Sequence, residues 1–239
     1  MKRLLLYVHF NKYNRVSSHV YYQLTQMRPL FSKVIFISNS QVSERDHQKL
    51  VNLRLMDNFI QRENIGFDFA AWRDGMTHVS FDDITTYDVV TIMNDTCFGP
   101  LWEIKDYYLK YEADDQVDFW GLTNNRRTKK SHQTQGFPEH IQSYFITFKK
   151  PVIASSAFRN FWENVKNHTD VQEVINDYET KVTTTFLAAG FRYQTVFDTV
   201  NEDTTGMLHP DFSYYRPIST LEHKVPFIKL KAFTDNEKK

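Results

Sequence analysis

Carboxylates at two places in the sequence are suited to acid–base chemistry or to metal binding. Asp95, in Asn94-Asp95-Thr96, directly follows the apolar run Tyr87–Met93. A carboxylate at the end of a buried parallel strand faces the crevice in which such sheets bind ligands. Its hard oxygens suit Mg²⁺ or Mn²⁺ held against a nucleotide diphosphate. The sequence therefore predicts a divalent-metal site at Asp95, and a turn in which Asn94 or Asp95 caps the next segment is the alternative.

The second place is a helix that we predict between Asp170 and Ala189. Its apolar stripe includes Tyr178, and Glu179 follows about 100° further around the helix. This position lies at the border between the core and a cleft, where a partly desolvated carboxylate can act as a general base. We expect Glu179 to be the base and Asp177 to be the second candidate. A solvated surface carboxylate is the alternative for both.

The segment Glu63–Gly75 places a glycine turn at Gly66 ahead of a predicted helix. Free backbone N–H groups and the helix dipole favour anions such as a diphosphate at such an N-terminus. A plain strand–turn–helix with Asp68 as a first-turn acid is the alternative. A further stretch, His140–Phe145, mixes polar and aromatic residues that could line a sugar pocket, although a single histidine such as His140 is more often an ordinary exposed or core residue than a ligand.

Alternating strand and helix patterns must position these residues. Apolar runs predict four strands in the first hundred residues, with helices between them: Leu4–Phe10, Lys33–Ser38, Asp57–Gln61 and Tyr87–Met93. Ser43 with Asp46 predicts the start of one helix, and Gly190 the end of another. This order predicts an α/β fold, a Rossmann-type, mostly parallel sheet flanked by helices. The later strands are predicted at 117–122, 141–148 and 191–197, followed by irregular chain. Because no linker separates the halves, we expect a single domain.

Composition limits the classes of function. The chain has 239 residues with Lys+Arg 29 and Asp+Glu 29, and a zero net charge argues against binding nucleic acid. The single cysteine, Cys97, excludes a disulfide framework and a cysteine-rich zinc site. The apolar runs are too short to span a bilayer, so we expect a cytoplasmic protein. A basic loop predicts peripheral contact with the inner face of the membrane, with a solvated loop as the alternative; its cations are Arg126, Arg127, Lys129 and Lys130.

Six segments, in order along nearly the whole chain, together resemble the rhamnan synthesis protein F family. They are Glu63–Gly75, Asn94–Pro100, Trp120–Thr123, Gln142–Phe145, Tyr178–Thr183 and Val225–Lys229. The resemblance implies a bacterial glycosyltransferase that acts in the assembly of rhamnose-containing cell-wall and capsular polysaccharides. It implies dTDP-L-rhamnose as the donor and a growing, lipid-linked glycan as the acceptor.

The resemblance extends to inverting transferases of the GT-A type, which implies roles for single residues. Asp95 corresponds to their metal-binding D-x-D motif and Glu179 to their catalytic carboxylate. The implied nucleotide-sugar-binding residues are Asn64, Gly66, Asp68, Trp72, Arg73, Asp74, Asn94 and Asp95, and those on the acceptor side are Trp120, His140, Gln142 and Ser143.

The resemblance also implies a domain plan and leaves a second function open. We expect a transferase domain over 1–233, with a nucleotide-binding half at 1–100, an acceptor half at 101–233 and a disordered tail at 234–239. Because only one acid stands in the metal motif, a non-catalytic, sugar-binding or scaffold module of a polysaccharide assembly complex is the alternative. A nucleotidyltransferase is disfavoured because His9–Tyr13 lacks the glycines of a phosphate loop.

Overall fold

The computed structural model describes residues 1–129 and 136–234. Within these ranges the first strand is almost wholly apolar because both of its faces are covered. Leu4, Leu6 and Val8 enter one apolar core while Leu5 and Tyr7 enter the other, as the two-residue period of a strand requires. The strands are β1 Arg3–His9, β2 Lys33–Ser38, β3 Asn58–Gln61, β4 Val89–Asn94, β5 Cys97–Phe98, β6 Phe119–Asn125, β7 His140–Ile141, β8 Phe145–Lys149, β9 Tyr193–Phe197 and β10 Ile228–Lys229.

The described chain forms an eight-stranded sheet in the order β3-β2-β1-β4-β8-β6-β7, with β9 beside β6. Strands β1 to β4 are parallel to one another, β8 runs antiparallel between β4 and β6, and β9 is parallel to β6. The predicted α/β fold with a mostly parallel, Rossmann-like sheet is therefore confirmed. Because β4 pairs with β8, one sheet continues from the first half of the chain into the second. The chain moves outward from β1 in both directions, so a topological switch point lies between β1 and β4.

Helices cover both faces of this sheet. The predicted cap of the second helix is confirmed, since the Ser43 hydroxyl accepts a hydrogen bond from the Asp46 N–H at 3.1 Å. Gly190 follows the helix predicted to end there and has a φ of 88°, which glycine adopts without strain. The helices are α1 Ser18–Met27, α2 Glu44–Asn52, α3 Phe67–Val79, α4 Phe81–Ile84, α5 Ile104–Ala113, α6 Lys150–Ile153, α7 Ser156–Glu163, α8 Val171–Val174, α9 Thr180–Ala188, α10 Phe212–Tyr215, α11 Pro217–Glu222 and α12 Lys231–Thr234.

Three segments differ from the sequence prediction. The helix expected over 170–189 is interrupted by a π-helical turn, Ile175–Glu179, between α8 and α9. The strand expected over 141–148 is two strands, because the chain turns between β7 and β8. The region beyond Phe197, expected to be irregular, forms three short helices and β10, which pairs with β5. Pairing between distant segments leaves no local period in the sequence, so the pattern could not show it.

The predicted C-terminal tail and the predicted basic loop lie partly outside the described residues. Residue 234 ends α12 rather than starting a disordered tail, and 235–239 lie outside the described residues. Lys130 of the basic loop also lies outside them. In the described part, Arg126 donates to the Glu202 carbonyl at 3.3 Å and to the Thr204 hydroxyl at 3.2 Å. Within the described residues, every helix is too short or too polar to cross a bilayer.

Candidate active site

The carboxyl ends of β1, β2, β3 and β4 meet at one edge of the sheet, where α/β folds bind ligands. Two cavities open along this edge. The larger, of about 620 Å³, lies beyond the ends of β1, β2 and β3, and we call it the outer cavity. The smaller, of about 350 Å³, lies beyond β4 and reaches to the π-helical turn, and we call it the inner cavity.

The outer cavity is lined mostly by polar residues, many of them with amide side chains. The Phe10 ring, 45% exposed, gives it a flat apolar face directly after β1. Amide groups both donate and accept hydrogen bonds, which suits the edges of a nucleobase and a ribose. The lining residues are Phe10, Asn11, Lys12, Asn14, Asn39, Ser40, Gln41, Gln61, Arg62, Glu63 and Asn64.

Asp95 lies directly beyond β4, at the switch point and between the two cavities. Its Oδ2 accepts a hydrogen bond from the Phe10 N–H at 3.2 Å, while its neighbours Asn94 and Thr96 line the inner cavity. The side chain is only 12% exposed. Burial, with the charge of Asp68 added to it, raises the pKa of the Asp95 carboxyl to about 8.

The histidine beside the Asp95 carboxylate, His9, does not neutralise it. His9 Nε2 lies 3.9 Å from Asp95 Oδ2, but burial lowers the pKa of His9 to about 4. The His9 ring is therefore uncharged at neutral pH. An ionised Asp95 in this position lacks charge compensation from the imidazole, and it would gain much from a cation.

Asp68, in the first turn of α3, is a second carboxylate, whose charge acts on Asp95, and we call the two residues the acidic pair. Its Oδ2 accepts a hydrogen bond from Asn94 Nδ2 at 2.8 Å. Burial raises the pKa of Asp68 to about 6; the Asn94 hydrogen bond opposes this shift, and the charge of Glu179 adds to it. A carboxyl group whose pKa is raised by burial and by a neighbouring carboxylate is typical of sites built for catalysis or cation binding.

The donor chemistry of this pair fits a hard divalent cation. In the described residues, His, Cys, Asp and Glu side chains do not form a group of three arranged to hold a metal ion. A nucleotide-bound Mg²⁺, however, needs only one or two protein carboxylates, because phosphate oxygens and water complete its shell. Asp95, with Asp68 beside it, meets that smaller requirement.

Glu179 is the last residue of the π-helical turn and lines the inner cavity together with Asp68 and Asn94. It is half-buried, while the neighbouring Tyr178 ring packs in the core against Phe69. Glu179 therefore lies at the border of core and cleft, where its sequence position placed it. A π turn within a helix often marks a functional site.

Asp177, the second candidate base, lies elsewhere. Its carboxylate receives hydrogen bonds from Lys181 at 3.0 Å and contacts His168 at 3.1 Å, and its side chain is 44% exposed. The Lys181 hydrogen bond lowers the pKa of Asp177, which weakens it as a base. It does not line the inner cavity, so we do not retain it as a catalytic candidate.

Gly66, Arg73 and Asp74 hold the segment that leads to the Glu179 helix. The Gly66 N–H donates to the His168 carbonyl at 2.7 Å, and Arg73 donates to the Val165 carbonyl and to Asp74. These groups are therefore engaged by protein and line neither of the two cavities, and their direct contact with the donor stays a prediction. Gly66 and Arg73 thus join α3 to the segment 165–168, while Asn64 lines the outer cavity.

Two tryptophans expected in the site belong to the core. Trp72 and Trp120 are 0% exposed. Trp72 Nε1 donates to the Met93 carbonyl at 3.3 Å, and Trp120 stacks on Tyr111. Complete burial leaves neither ring a face for a ligand, so both assignments are corrected.

The other residues expected on the acceptor side lie near the inner cavity in different ways. Ser143 lines it. Gln142 is buried and accepts a hydrogen bond from Thr123 at 2.5 Å. His140 is also buried, and its Nδ1 contacts the Pro138 carbonyl at 2.8 Å. Neither Gln142 nor His140 lines the inner cavity; Gln142 donates a hydrogen bond to Asp211.

Sequence reasoning missed a cation in the inner cavity, Lys229. Its Nζ pairs with Asp211 Oδ2 at 3.1 Å, and its side chain is 22% exposed. Burial alone would lower the pKa of Lys229, but the negative charge of Asp211 outweighs this effect, so the pKa of Lys229 is raised. The motif Val225–Lys229 was the available signal, but nothing local connects it to β5. The residues after β1 and β2 were missed as well, although a position just past a parallel strand predicts the binding edge.

The fold and this edge define an α/β protein with a Rossmann-like binding crevice that carries a half-buried acidic cluster. The family follows from the sequence as a whole. The chain belongs to the rhamnan synthesis protein F family, whose model matches residues 34–239.

Relatives with curated sequences are longer than this chain. The chain is 29% identical over 177 residues to an uncharacterized protein, y4gN, of Sinorhizobium fredii, a match covering 72% of this chain and 43% of that protein. It is 27% identical over 139 residues to virulence protein VirA of Vibrio anguillarum, covering 57% of this chain and 41% of VirA. The matched region thus spans less than half the length of either relative.

The solved structures that match this chain include two transferases. A mannosyltransferase of Pyrobaculum calidifontis, PcManGT, solved with GDP-Man and Mn²⁺, has a TM-score of 0.50 and 12% identity, covering 81% of this chain and 54% of that one. A glycosyltransferase involved in glycosylating the major capsid of PBCV-1 has a TM-score of 0.43 and 8% identity, covering 96% and 93%. At 12% identity the likeness to PcManGT shows the fold alone.

Proposed function

We propose that this protein is an inverting glycosyltransferase that uses a nucleotide-sugar donor. One observation carries the proposal: Glu179 and Asp68 line the inner cavity, and Asp95 lies beside them at the switch point of the sheet, next to Phe10 of the outer cavity. Family membership supports a role in polysaccharide synthesis. The mannosyltransferase of similar fold, bound to GDP-Man and Mn²⁺, supports a nucleotide sugar and a divalent metal as ligands.

The two cavities divide the donor between them. The nucleoside occupies the outer cavity, with its base against Phe10 and its polar edges on the amide groups of Asn11 and Asn39. The diphosphate passes Asp95, and the sugar enters the inner cavity near Ser143 and Glu179. Asp95 and Asp68 would hold Mg²⁺ or Mn²⁺, which neutralises charge on the diphosphate.

Glu179 acts as the general base. Its carboxylate takes the proton of the acceptor hydroxyl while that oxygen forms a bond to the anomeric carbon. The bond from the anomeric carbon to the diphosphate breaks at the same time, and the electron pair leaves with the phosphate oxygen. A single displacement needs one base and inverts the anomeric centre. The other two carboxylates, Asp68 and Asp95, are therefore available to bind the donor.

The finer assignments follow from the family. We propose rhamnose, delivered from dTDP-L-rhamnose, as the sugar and a lipid-linked cell-wall or capsular glycan as the acceptor. The basic loop beginning at Arg126 would then bring the protein to the cytoplasmic face of the membrane by attraction to lipid phosphates.

A binding panel tests the proposal before any acceptor is known. The purified protein is scanned for thermal stability with dTDP, UDP and GDP and their sugars, with and without Mn²⁺. We expect a nucleoside diphosphate to raise the melting temperature in a Mn²⁺-dependent way, and Asp95→Asn to remove that dependence. Asp82→Asn, at a surface carboxylate that is 87% exposed, is the matched control. Binding without hydrolysis or transfer from any sugar nucleotide would favour the non-catalytic module, and no binding at all would refute the proposal.

A further inference from the structure

Lys229 is held at the wall of the inner cavity by three contacts. Antiparallel pairing of β10 with β5 sets Lys229 opposite Cys97. Its Nζ pairs with Asp211 Oδ2 at 3.1 Å and lies 5.5 Å from the centre of the Tyr144 ring. A lysine side chain loses much conformational freedom when it is fixed in this way, so the fixed position itself needs a reason.

Asp211 is equally fixed, and capping alone does not explain its charge. Its carboxylate accepts hydrogen bonds from the Tyr214 N–H at 3.1 Å and from the Ser213 hydroxyl at 2.5 Å, at the start of α10. Gln142 also donates to it. An asparagine would cap the helix as well. The negative charge of Asp211 therefore serves to hold the ammonium group of Lys229.

Among the described residues, the ammonium group of Lys229 has N–H donors to spare. A lysine Nζ carries three N–H bonds, and in this part of the chain Asp211 takes one of them. Lys229 lines the same cavity as Asp68, Asn94 and Glu179. A fixed cation with unused donors, beside the carboxylate expected to act as base, is suited to a phosphate group on the ligand.

We propose that Lys229 binds the diphosphate of the donor and stabilises the charge that develops on it when the sugar leaves, and that Asp211 is its positioning residue. This inference rests on the proposed function. When the bond between the anomeric carbon and the phosphate oxygen breaks, the electron pair stays on that oxygen. Lys229 donates a hydrogen bond to it and keeps its own proton, while the acceptor proton goes to Glu179.

The test removes both charges of the pair, since an unpaired Asp211 could unfold the protein. The double variant Lys229→Met with Asp211→Asn is titrated by calorimetry with dTDP, inorganic pyrophosphate and thymidine, all with Mn²⁺. We expect affinity for dTDP and pyrophosphate to fall at least 10-fold and affinity for thymidine to stay unchanged. Turnover of the donor falls about 100-fold, as when one charge-stabilising donor is removed.

Single variants separate the two roles. Lys229→Arg, which keeps a positive charge, retains part of the diphosphate affinity. Asp211→Asn lowers the diphosphate affinity by less than the double variant does, and it leaves thymidine binding unchanged. Lys110→Met, at an exposed lysine on α5, is the control and behaves as the unaltered protein. Unchanged affinity for dTDP and pyrophosphate in the double variant overturns the inference, as does equal loss for thymidine.

Failure of the inference is distinguishable from failure of the proposed function. If the double variant turns over donor normally while Glu179→Gln is inactive, Lys229 has no such role and the transferase proposal stands. If the unaltered protein binds neither dTDP nor pyrophosphate and transfers no sugar, both fall together.

Discussion

Replacing Asp95 with asparagine should stabilise the metal-free protein, and increasingly so as the pH rises. The side chain is buried, and its pKa is raised from 3.8 to about 8. Between these values the folded protein keeps a proton that the unfolded chain releases, so stability falls as the pH rises, by about 1.4 kcal/mol per pH unit. The Asp95→Asn variant has no such proton to lose and still accepts the hydrogen bond from Phe10.

The magnitude follows from the width of the pH window. From pH 5 to pH 7 the gain of the Asp95→Asn variant over the unaltered protein should grow by about 2–3 kcal/mol. For a chain of this length that corresponds to about 5–10 °C in melting temperature. The assay is thermal or urea unfolding in EDTA at pH 5, 6, 7 and 8.

The same unfolding assay, repeated with ligand and with a control variant, tests whether the Asp95 carboxylate causes the effect. With Mn²⁺ and a nucleoside diphosphate the order should reverse, because the ligand stabilises only the protein that retains the Asp95 carboxylate. The Asp82→Asn control should show neither effect. Parallel stability curves for the Asp95→Asn variant and the unaltered protein from pH 5 to pH 8 would refute a buried, uncompensated carboxylate at this position.

Three further substitutions test the structural roles. Asp177→Asn should lower the free energy of unfolding by about 0.5 kcal/mol at pH 7. Because the hydrogen bond from Lys181 lowers the pKa of Asp177, this loss should disappear as the pH falls through that pKa. Unfolding curves at pH 7 and pH 2.5 check this. Trp72→Ala should cost about 3–5 kcal/mol in urea unfolding, and little loss would contradict its place in the core. Gly66→Ala should cost about 1–3 kcal/mol, since a Cβ at φ 72° would lie 2.4 Å from that of Ala70; unchanged stability would contradict this close approach.

Much of the fold could be predicted because its central strands are local in sequence. The apolar runs that form β1, β2 and β4 are buried on both faces, so their composition alone marks them. The place of Asp95 followed from the same rule, since it needs only the end of a parallel strand. Glu179 could be located because its position relative to Tyr178 is also local.

The remainder depends on contacts between distant segments. Helical spacing showed that Trp72 shares a face with other apolar residues but not whether that face meets the core or a ligand. Lys229 reaches the inner cavity only because β10 returns to β5 and Asp211 holds its ammonium group. The π-helical turn departs from the 3.6-residue period on which every helix prediction relies.

The most direct test of the central claim is the transfer assay of Glu179→Gln. The variant keeps the size and hydrogen bonding of the side chain but not its basicity. We predict that sugar transfer, or hydrolysis of the donor where no acceptor is supplied, falls at least about 100-fold, while Mn²⁺-dependent binding of the nucleoside diphosphate is retained. Glu163→Gln, at a surface carboxylate that is 48% exposed, should remain fully active. Near-normal transfer by Glu179→Gln would contradict the assignment of Glu179 as the base.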